Sequence, residues 1–280
     1  HMLPARTFEH WMGRAVADQL RIAKRLAVAL SNHSLYLHFQ PQVDMRTGEL
    51  IGAEVLCRWR DDELGEVPPS QFVPIAEDRG MIVALGNCVI EQACQQLAAW
   101  QRQGCQLSGQ LSINIAADQF EDSELVATLL NSCRQHSIAP DQLSVEITES
   151  GIMTHPEDAI ATTEILKGHG LGLSIDDFGT GYSSLGYLKR LPVDKIKLDR
   201  AFIRDLPHDQ ADAAIVTAVL AMAAGMGLDV VAEGVETQAQ CQFLIKAGCT
   251  LVQGFYFAKP LSAAELEQRW LPPPLAEGAN

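Results

Sequence analysis

A short strand ends in two neighbouring carboxylates in the segment Ser174-Ile175-Asp176-Asp177-Phe178-Gly179-Thr180-Gly181-Tyr182-Ser183-Ser184-Leu185. Leu171, Leu173 and Ile175 alternate with other residues as in a strand, and the two glycines that follow the carboxylates indicate a pliable loop. The Ser183-Ser184 pair is suited to cap a following helix. Such a segment suits a site for a divalent metal and a phosphate, although Asp-Asp by itself is ordinary turn chemistry. The interpretation therefore depends on how the other strands end.

Strand-like and helix-like segments alternate along most of the chain. Eight strands are predicted, at Tyr36–Gln40, Ile51–Arg58, Leu111–Ile115, Leu143–Ile147, Gly172–Asp176, Lys195–Leu198, Asp229–Ala232 and Thr250–Gly254. Helices are predicted at 83–103, 118–135, 157–168, 183–190, 208–226, 237–247 and 262–270. Without a linker or an internal repeat, these elements predict one α/β domain with a TIM-barrel-like (β/α)8 fold. Only the turn Met45-Arg46-Thr47-Gly48 joins the first two strands, which is too short for a crossover helix, so the first strand should be antiparallel to the second.

The barrel is expected to be flanked by a helix and a short tail. Apolar residues recur at helical spacing from Phe8 to Leu30, which predicts a helix that either packs on the barrel or connects it to an upstream domain. We divide the chain into a tag remnant and connector helix at 1–30, one barrel domain at 31–270 and a flexible tail at 271–280. The leading His1-Met2 is interpreted as a remnant of cloning.

The composition indicates which partners and which cellular location to expect. The 280 residues carry 35 acidic and 21 basic side chains, a formal net charge of −14, which disfavours binding to DNA or to an anionic membrane. The seven cysteines form no Cys-x-x-Cys pair and have apolar neighbours, so we expect reduced, buried thiols in the cytoplasm. No apolar run reaches membrane-spanning length. The chain is expected to be cytoplasmic, either by itself or as the cytoplasmic part of a longer, membrane-attached protein.

Polar side chains recur at the predicted strand ends. Because side chains alternate between the faces of a strand, Glu54 shares a face with Arg58. Residues of the same kind end or follow the later strands: Asn114, Glu146, Asp176, Lys197, Glu233 and Gln253. Barrel enzymes draw their catalytic groups from several strand ends on one face. The repetition therefore predicts one site at the mouth of the barrel.

Electrostatics indicates what this site binds. Glu54, Glu146, Asp176, Asp177 and Glu233 would converge on a small mouth, with Lys197 as the internal cation. Crowded carboxylates repel one another unless positive charge lies among them, and one lysine is not enough. Two divalent cations resolve the repulsion, and carboxylate and amide ligands favour Mg²⁺ or Mn²⁺ over zinc.

From about Leu35 to Leu266 the chain resembles the EAL domain family, the bacterial phosphodiesterases of cyclic di-GMP. The resemblance rests on these motifs, in order: Gln40-Pro41; Gly52-Ala53-Glu54-Val55-Leu56-Cys57-Arg58-Trp59; Ala76-Glu77 with Gly80; Ser112-Ile113-Asn114; Glu146-Ile147-Thr148-Glu149-Ser150; Asp176-Asp177-Phe178-Gly179-Thr180-Gly181; Lys197-Leu198-Asp199-Arg200; Ala232-Glu233-Gly234-Val235-Glu236-Thr237; and Gln253-Gly254 with Pro260. It implies a barrel whose first strand is antiparallel, as the short turn also predicts. It implies hydrolysis of cyclic di-GMP to linear pGpG by a two-metal mechanism.

The resemblance also implies roles for individual residues. One metal would be held by Glu54, Asn114, Glu146 and Asp176, and Asp176 would bridge to a second metal completed by Asp177 and Glu233. Lys197 and Gln253 would orient the attacking water, and Glu233 would be a ligand or the general base. Gln40 and Arg58 would bind the guanine and phosphate of the substrate, and Glu149 would brace the loop from Asp176 to Leu185. A homodimer and an upstream sensory or GGDEF-type domain are implied as partners.

The sequence departs from the family name in one letter, because Glu-Ala-Leu is Glu54-Val55-Leu56 here. Strand alternation points Val55 away from Glu54, toward the helices, so the change should affect packing and not chemistry. With the implied ligand set complete, we expect an active enzyme. The alternatives are a catalytically silent cyclic di-GMP receptor and a barrel metallohydrolase that acts on another substrate.

Overall fold

The computed structural model describes residues 5–181 and 185–271. The predicted tag remnant, the predicted tail beyond Leu271 and the Tyr182–Ser184 part of the loop lie outside the described residues. The division into domains stays a prediction.

Nine strands lie in the part of the chain that the structure describes. In chain order they are β1 (Leu35–Asp44), β2 (Leu50–Asp61), β3 (Gly65–Val67), β4 (Gln110–Ile115), β5 (Leu143–Thr148), β6 (Gly172–Phe178), β7 (Lys195–Leu198), β8 (Asp229–Glu233) and β9 (Leu251–Gln253). Eight of them form a ring in the order β1-β9-β8-β7-β6-β5-β4-β2, which closes through the pairing of β1 with β2, and β3 extends β2 outside the ring. The predicted TIM-barrel-like fold is confirmed.

Strand β1 is antiparallel to both of its neighbours, whereas β2 and β4 to β9 pair in parallel around the rest of the ring. The predicted antiparallel first strand is therefore confirmed. The register of β1 and β2 places Gln40 directly opposite Glu54. Because the other strands share one direction, their carboxyl ends meet at one mouth of the barrel, where the polar strand ends are brought together.

Twelve α-helices and one 3-10 turn (Pro140–Gln142) lie in the described ranges. The helices are α1 (Ala5–Ser31), α2 (Pro69–Asp78), α3 (Ile82–Arg102), α4 (Ala117–Phe120), α5 (Leu125–His136), α6 (Glu149–Thr154), α7 (Pro156–Gly168), α8 (Leu185–Leu188), α9 (Arg200–Ile203), α10 (Gln210–Met226), α11 (Gln238–Ala247) and α12 (Ala263–Trp270). Capping explains several boundaries. The Asp209 carboxylate accepts from two backbone N–H groups at the start of α10, and Gly227 ends that helix at φ +71°.

The prediction of a single helix at 118–135 was wrong, because the chain breaks between α4 and α5. The Asp122 carboxylate accepts a hydrogen bond from the backbone N–H of Glu124 at 3.0 Å. An aspartate that bonds to its own neighbouring backbone stabilises a turn in competition with the helix. Apolar residues keep a helical spacing on both sides of this turn, so the sequence pattern alone did not reveal the break between α4 and α5.

The core lies between the barrel and its helices. Val55 is 3% exposed and belongs to one apolar cluster with Val89 and Ile90 of α3, so it faces the helices as predicted. A second cluster joins α1 to the barrel through Leu26 and Trp59. Five of the seven cysteines are buried, but the prediction was wrong for Cys57 and Cys88, which are half-buried. No helix within the described ranges is long and apolar enough to cross a membrane.

Candidate metal centre at the barrel mouth

The ammonium group of Lys197 lies at the centre of the site, with 1% of the residue exposed. Four strands each place one carboxylate within hydrogen-bond distance of this group. The distances from Nζ are 2.6 Å to Glu146, 2.8 Å to Glu233, 3.2 Å to Glu54 and 3.2 Å to Asp176. One cation thus faces four acids inside the barrel. Such a cluster keeps a negative excess that a lysine alone does not neutralise.

The carboxylates form two groups that share a member. Oxygen atoms of Glu54, Glu146 and Asp176 lie within 4.8 Å of one another, and so do oxygen atoms of Asp176, Asp177 and Glu233. The amide of Asn114 donates to Glu54 Oε1 at 2.6 Å and so lies beside the first group. The structure therefore brings together the six residues that the sequence nominated as metal ligands and arranges their acids around Asp176.

Crowding changes the proton affinity of these acids in the metal-free cluster. Burial, together with the charges of Asp176 and Glu54, raises the pKa of Glu233 to about 8 although Lys197 opposes the rise. Burial also raises the pKa of Glu146 to about 7 against the pull of Lys197. Both acids therefore retain protons near neutral pH. A bound cation would compete with those protons.

The remaining acids are affected in opposite directions. Burial raises the pKa of Asp177 to about 6, helped by the charges of Asp176 and Asp199. Burial also acts to raise the pKa of Glu54, but Lys197 and the amide donors around Glu54 together hold that pKa below its ordinary value. Glu54 thus stays ionised more readily than Glu146, Asp177 or Glu233.

Asp199 was not among the site residues predicted from the sequence, yet its charge helps to raise the pKa of Asp177, and its carboxylate accepts a hydrogen bond from the backbone N–H of Ala201 at 2.8 Å. Asp199 follows Lys197 by two residues, and residues two apart on a strand share a face. That spacing was the signal that could have found it.

Glu149, which is 3% exposed, contacts the loop that follows β6. The Glu149 carboxylate accepts from the backbone N–H of Gly179 at 2.8 Å. At Gly181 a Cβ atom would lie 3.2 Å from the Glu149 carboxyl carbon, so the glycine allows the loop to approach the acid closely. Glu149 thus contacts the loop and lies outside both carboxylate groups.

The residues nominated for substrate occupy two places. The amide of Gln253 donates to Glu54 and to Gln40 Oε1, so Gln40 lies at the edge of the cluster. Arg58 does not reach the carboxylates, because its Nη1 donates to the backbone carbonyl of Cys57 at 2.9 Å. It lines a cavity of about 280 Å³ that Asn114 and Glu146 also line.

A barrel of mostly parallel strands with a cluster of acids at its mouth is the arrangement of a metal-dependent barrel enzyme. A family model for the EAL domain matches residues 23–260. The chain therefore belongs to the EAL domain family.

The relatives agree with that assignment. The bifunctional diguanylate cyclase/cyclic di-GMP phosphodiesterase MucR of Pseudomonas aeruginosa is 43% identical over 259 residues, which cover 92% of this chain and 38% of MucR. The cyclic di-GMP phosphodiesterase PdeR of Escherichia coli is 38% identical over 259 residues, 92% of this chain and 39% of PdeR. The solved PaMucR phosphodiesterase in complex with c-di-GMP superimposes with a TM-score of 0.84 at 43% identity, covering 88% of this chain and 99% of that structure. The chain thus spans about two-fifths of the length of these curated relatives.

Proposed function

We propose that this chain is a metal-dependent phosphodiesterase that hydrolyses cyclic di-GMP to linear pGpG. The observation that carries the proposal is the shared carboxylate of Asp176, which belongs to two groups of acids around one buried lysine. The similarity to the phosphodiesterase MucR, solved with c-di-GMP, supports the choice of substrate.

The donor set fits two hard divalent cations. Carboxylate and amide oxygens without histidine or cysteine suit Mg²⁺ or Mn²⁺. Glu54, Asn114, Glu146 and Asp176 would hold one ion, and Asp176, Asp177 and Glu233 the other. When bound, such a pair lowers the pKa of water and stabilises the charge that develops on a phosphate.

The residues of the chain would then divide the remaining work. Gln40 and Arg58 bind the guanine and the phosphate of the substrate and place the scissile bond over the cluster. Lys197, fixed by four acids, and Gln253, fixed by Glu54, orient the attacking water. Precise placement of reacting groups is a large part of the rate enhancement in such reactions.

The position of Glu233 suits a general base. Its carboxylate lies 2.8 Å from Lys197 Nζ, next to the other group that we assign to the water. Glu149 supports the same site indirectly by holding the loop that follows Asp177.

The valine at position 55, where the family motif has alanine, does not weaken the proposal. Val55 is buried in the apolar cluster with α3, while Glu54 on the other face of the strand reaches Lys197. By the resemblance, a silent receptor would usually lack metal ligands or the loop motif, whereas all five carboxylates come together in the described residues.

We also propose a cytoplasmic homodimer with an upstream sensory or GGDEF-type domain in the full-length protein. Helix α10 exposes an apolar face that suits a second copy, formed by Ala211, Ala214, Ile215, Ala218 and Ala221. MucR, of which this chain covers 38%, is also a diguanylate cyclase, which supports a companion domain.

The deciding experiment incubates the purified chain with cyclic di-GMP and Mn²⁺ and resolves the products by chromatography. EDTA and the variant Asp176→Asn serve as matched controls. We expect pGpG from the wild type with Mn²⁺ and none from either control. Tight binding of cyclic di-GMP without pGpG over hours would favour the receptor, and neither binding nor cleavage would favour a hydrolase with another substrate.

A further inference from the structure

Gln42 is a buried side chain in the barrel that belongs neither to the proposed metal ligands nor to the proposed substrate contacts. It follows Gln40 by two residues on β1, so both face the barrel interior. Gln42 is 1% exposed, and its Nε2 donates to Oε1 of Gln253 at 3.2 Å. Gln42 therefore contacts a side chain to which we assign the orientation of the attacking water.

The orientation of the Gln253 amide follows from two groups that only accept hydrogen bonds. The backbone carbonyl of Ala258 accepts from Gln40 Nε2 at 3.4 Å, which turns Gln40 Oε1 toward Gln253. Gln40 Oε1 then accepts from Gln253 Nε2 at 3.1 Å, and the Glu54 carboxylate accepts from the same nitrogen. Both N–H groups of Gln253 are thus committed.

The carbonyl oxygen of Gln253 must consequently face the other way, toward Gln42. A flipped amide would set this oxygen against the Glu54 carboxylate and the Gln40 carbonyl, which are both acceptors. Gln42 supplies the donor that the correct orientation requires. We propose that Gln42 is a positioning residue that holds the Gln253 amide for turnover, an inference that rests on the function proposed above.

Gln42 is suited to this task because it lies outside the groups that engage metal or substrate. The other two partners of Gln253 are Glu54, a proposed metal ligand, and Gln40, a proposed substrate contact. Either contact changes when its group binds metal or substrate. The bond from Gln42 is the one that persists through the reaction.

The fold alone gives little reason for a glutamine at this position. Among the described residues, Gln42 Oε1 has no hydrogen-bond partner although it is buried. A buried oxygen without a partner costs free energy, and an apolar side chain of the same length would avoid that cost. The presence of glutamine at position 42 is therefore explained by its amide N–H, which donates a hydrogen bond to Gln253 Oε1.

The test compares Gln42→Met with Ser112→Ala, another buried polar position in the barrel whose Oγ is also unpaired in the described chain. With cyclic di-GMP and Mn²⁺, we expect Gln42→Met to lower kcat about five- to tenfold, the factor of one ordinary hydrogen bond, and to change KM less than about twofold. Ser112→Ala should keep the wild-type kcat. In a Gln253→Met background, adding Gln42→Met should change kcat by less than about twofold.

A second variant separates the donor from packing. At about pH 8, Gln42→His keeps an uncharged N–H donor toward Gln253 and should retain kcat within about threefold of wild type. Gln42→His as slow as Gln42→Met, an unchanged kcat in Gln42→Met, an equal loss in the Gln253→Met background, or a Gln42→Met chain that fails to fold would each overturn this inference alone. A wild-type chain without turnover would overturn the proposed function together with it.

Discussion

Replacing Glu233 with glutamine should make the metal-free protein more stable while it abolishes turnover. The Glu233 side chain is 19% exposed and shares the mouth with three other acids around Lys197. Glutamine has nearly the same shape, and its Oε1 still accepts a hydrogen bond from Lys197, but it carries no charge. The substitution therefore removes repulsion that the fold otherwise has to overcome.

The size of the gain follows from the pKa of Glu233, which is raised from 4.5 to about 8 by burial and then by the charges of Asp176 and Glu54, against Lys197. At about 1.36 kcal/mol per pH unit this corresponds to about 5 kcal/mol, and relaxation of the site reduces it to about 3–5 kcal/mol. Because the folded-state pKa is raised, the wild type loses stability as pH rises from 4.5 to about 8. The advantage of the glutamine variant should therefore be largest at or above pH 8 and vanish below pH 4.5.

Urea unfolding in EDTA at about pH 5 and about pH 8 measures this difference. Glu49→Gln, which removes an exposed carboxylate in the turn between β1 and β2, is the matched control for net charge. A Glu233→Gln chain that is no more stable than wild type at pH 8, or that gains equally at both pH values, would refute the reasoning.

Three further predictions concern the same cluster. Lys197→Met should destabilise the metal-free chain by about 3–5 kcal/mol and abolish turnover, because it leaves buried acids unpaired, yet it should keep Mn²⁺ affinity; calorimetry that shows the affinity lost would contradict this role. Glu54→Ala should weaken Mn²⁺ binding at least roughly tenfold, and an unchanged titration would exclude Glu54 as a ligand. Mn²⁺ affinity should rise from about pH 6 to about pH 8, because Glu146 and Glu233, with pKa values of about 7 and about 8, must lose protons to bind metal; an affinity that is flat over this range would argue against the cluster.

The barrel was predictable because its signals are local. Apolar runs at β5 and β6 have the length and pattern of buried strands, and the short turn after β1 allows only an antiparallel pairing. The meeting of Glu146 and Asp176 at one mouth then follows from the shared direction of the strands. Position along the sequence was enough to predict which acids converge.

Two helices that contain proline or glycine, α2 and α6, were missed. Helix α2 starts at Pro69 and contains Pro74, so the segment reads as a loop although proline is favoured in the first turn of a helix. Helix α6 begins where the Thr148 side chain accepts from the Gly151 N–H, in a segment that reads as a turn. In both cases packing on the barrel outweighed the local preference.

Contacts between side chains of distant strands could not be predicted from the sequence. The hydrogen bond from Gln42 to Gln253 and the proximity of Asp199 to Asp177 depend on rotamers that are set by neighbours on other elements. Strand alternation places Gln42 and Asp199 on the correct faces, but it does not tell which partner each one reaches.

The side chains of Glu54 and Val55 point to opposite faces of β2, and this determines which substitutions each position can accept. Glu54 is constrained by its contacts with Lys197, Asn114 and Gln253, whereas Val55 is constrained only by the volume that helix α3 leaves for it. A conservative exchange at Val55 can therefore be absorbed by the packing against α3, while the side chain of Glu54 keeps its place in the barrel mouth.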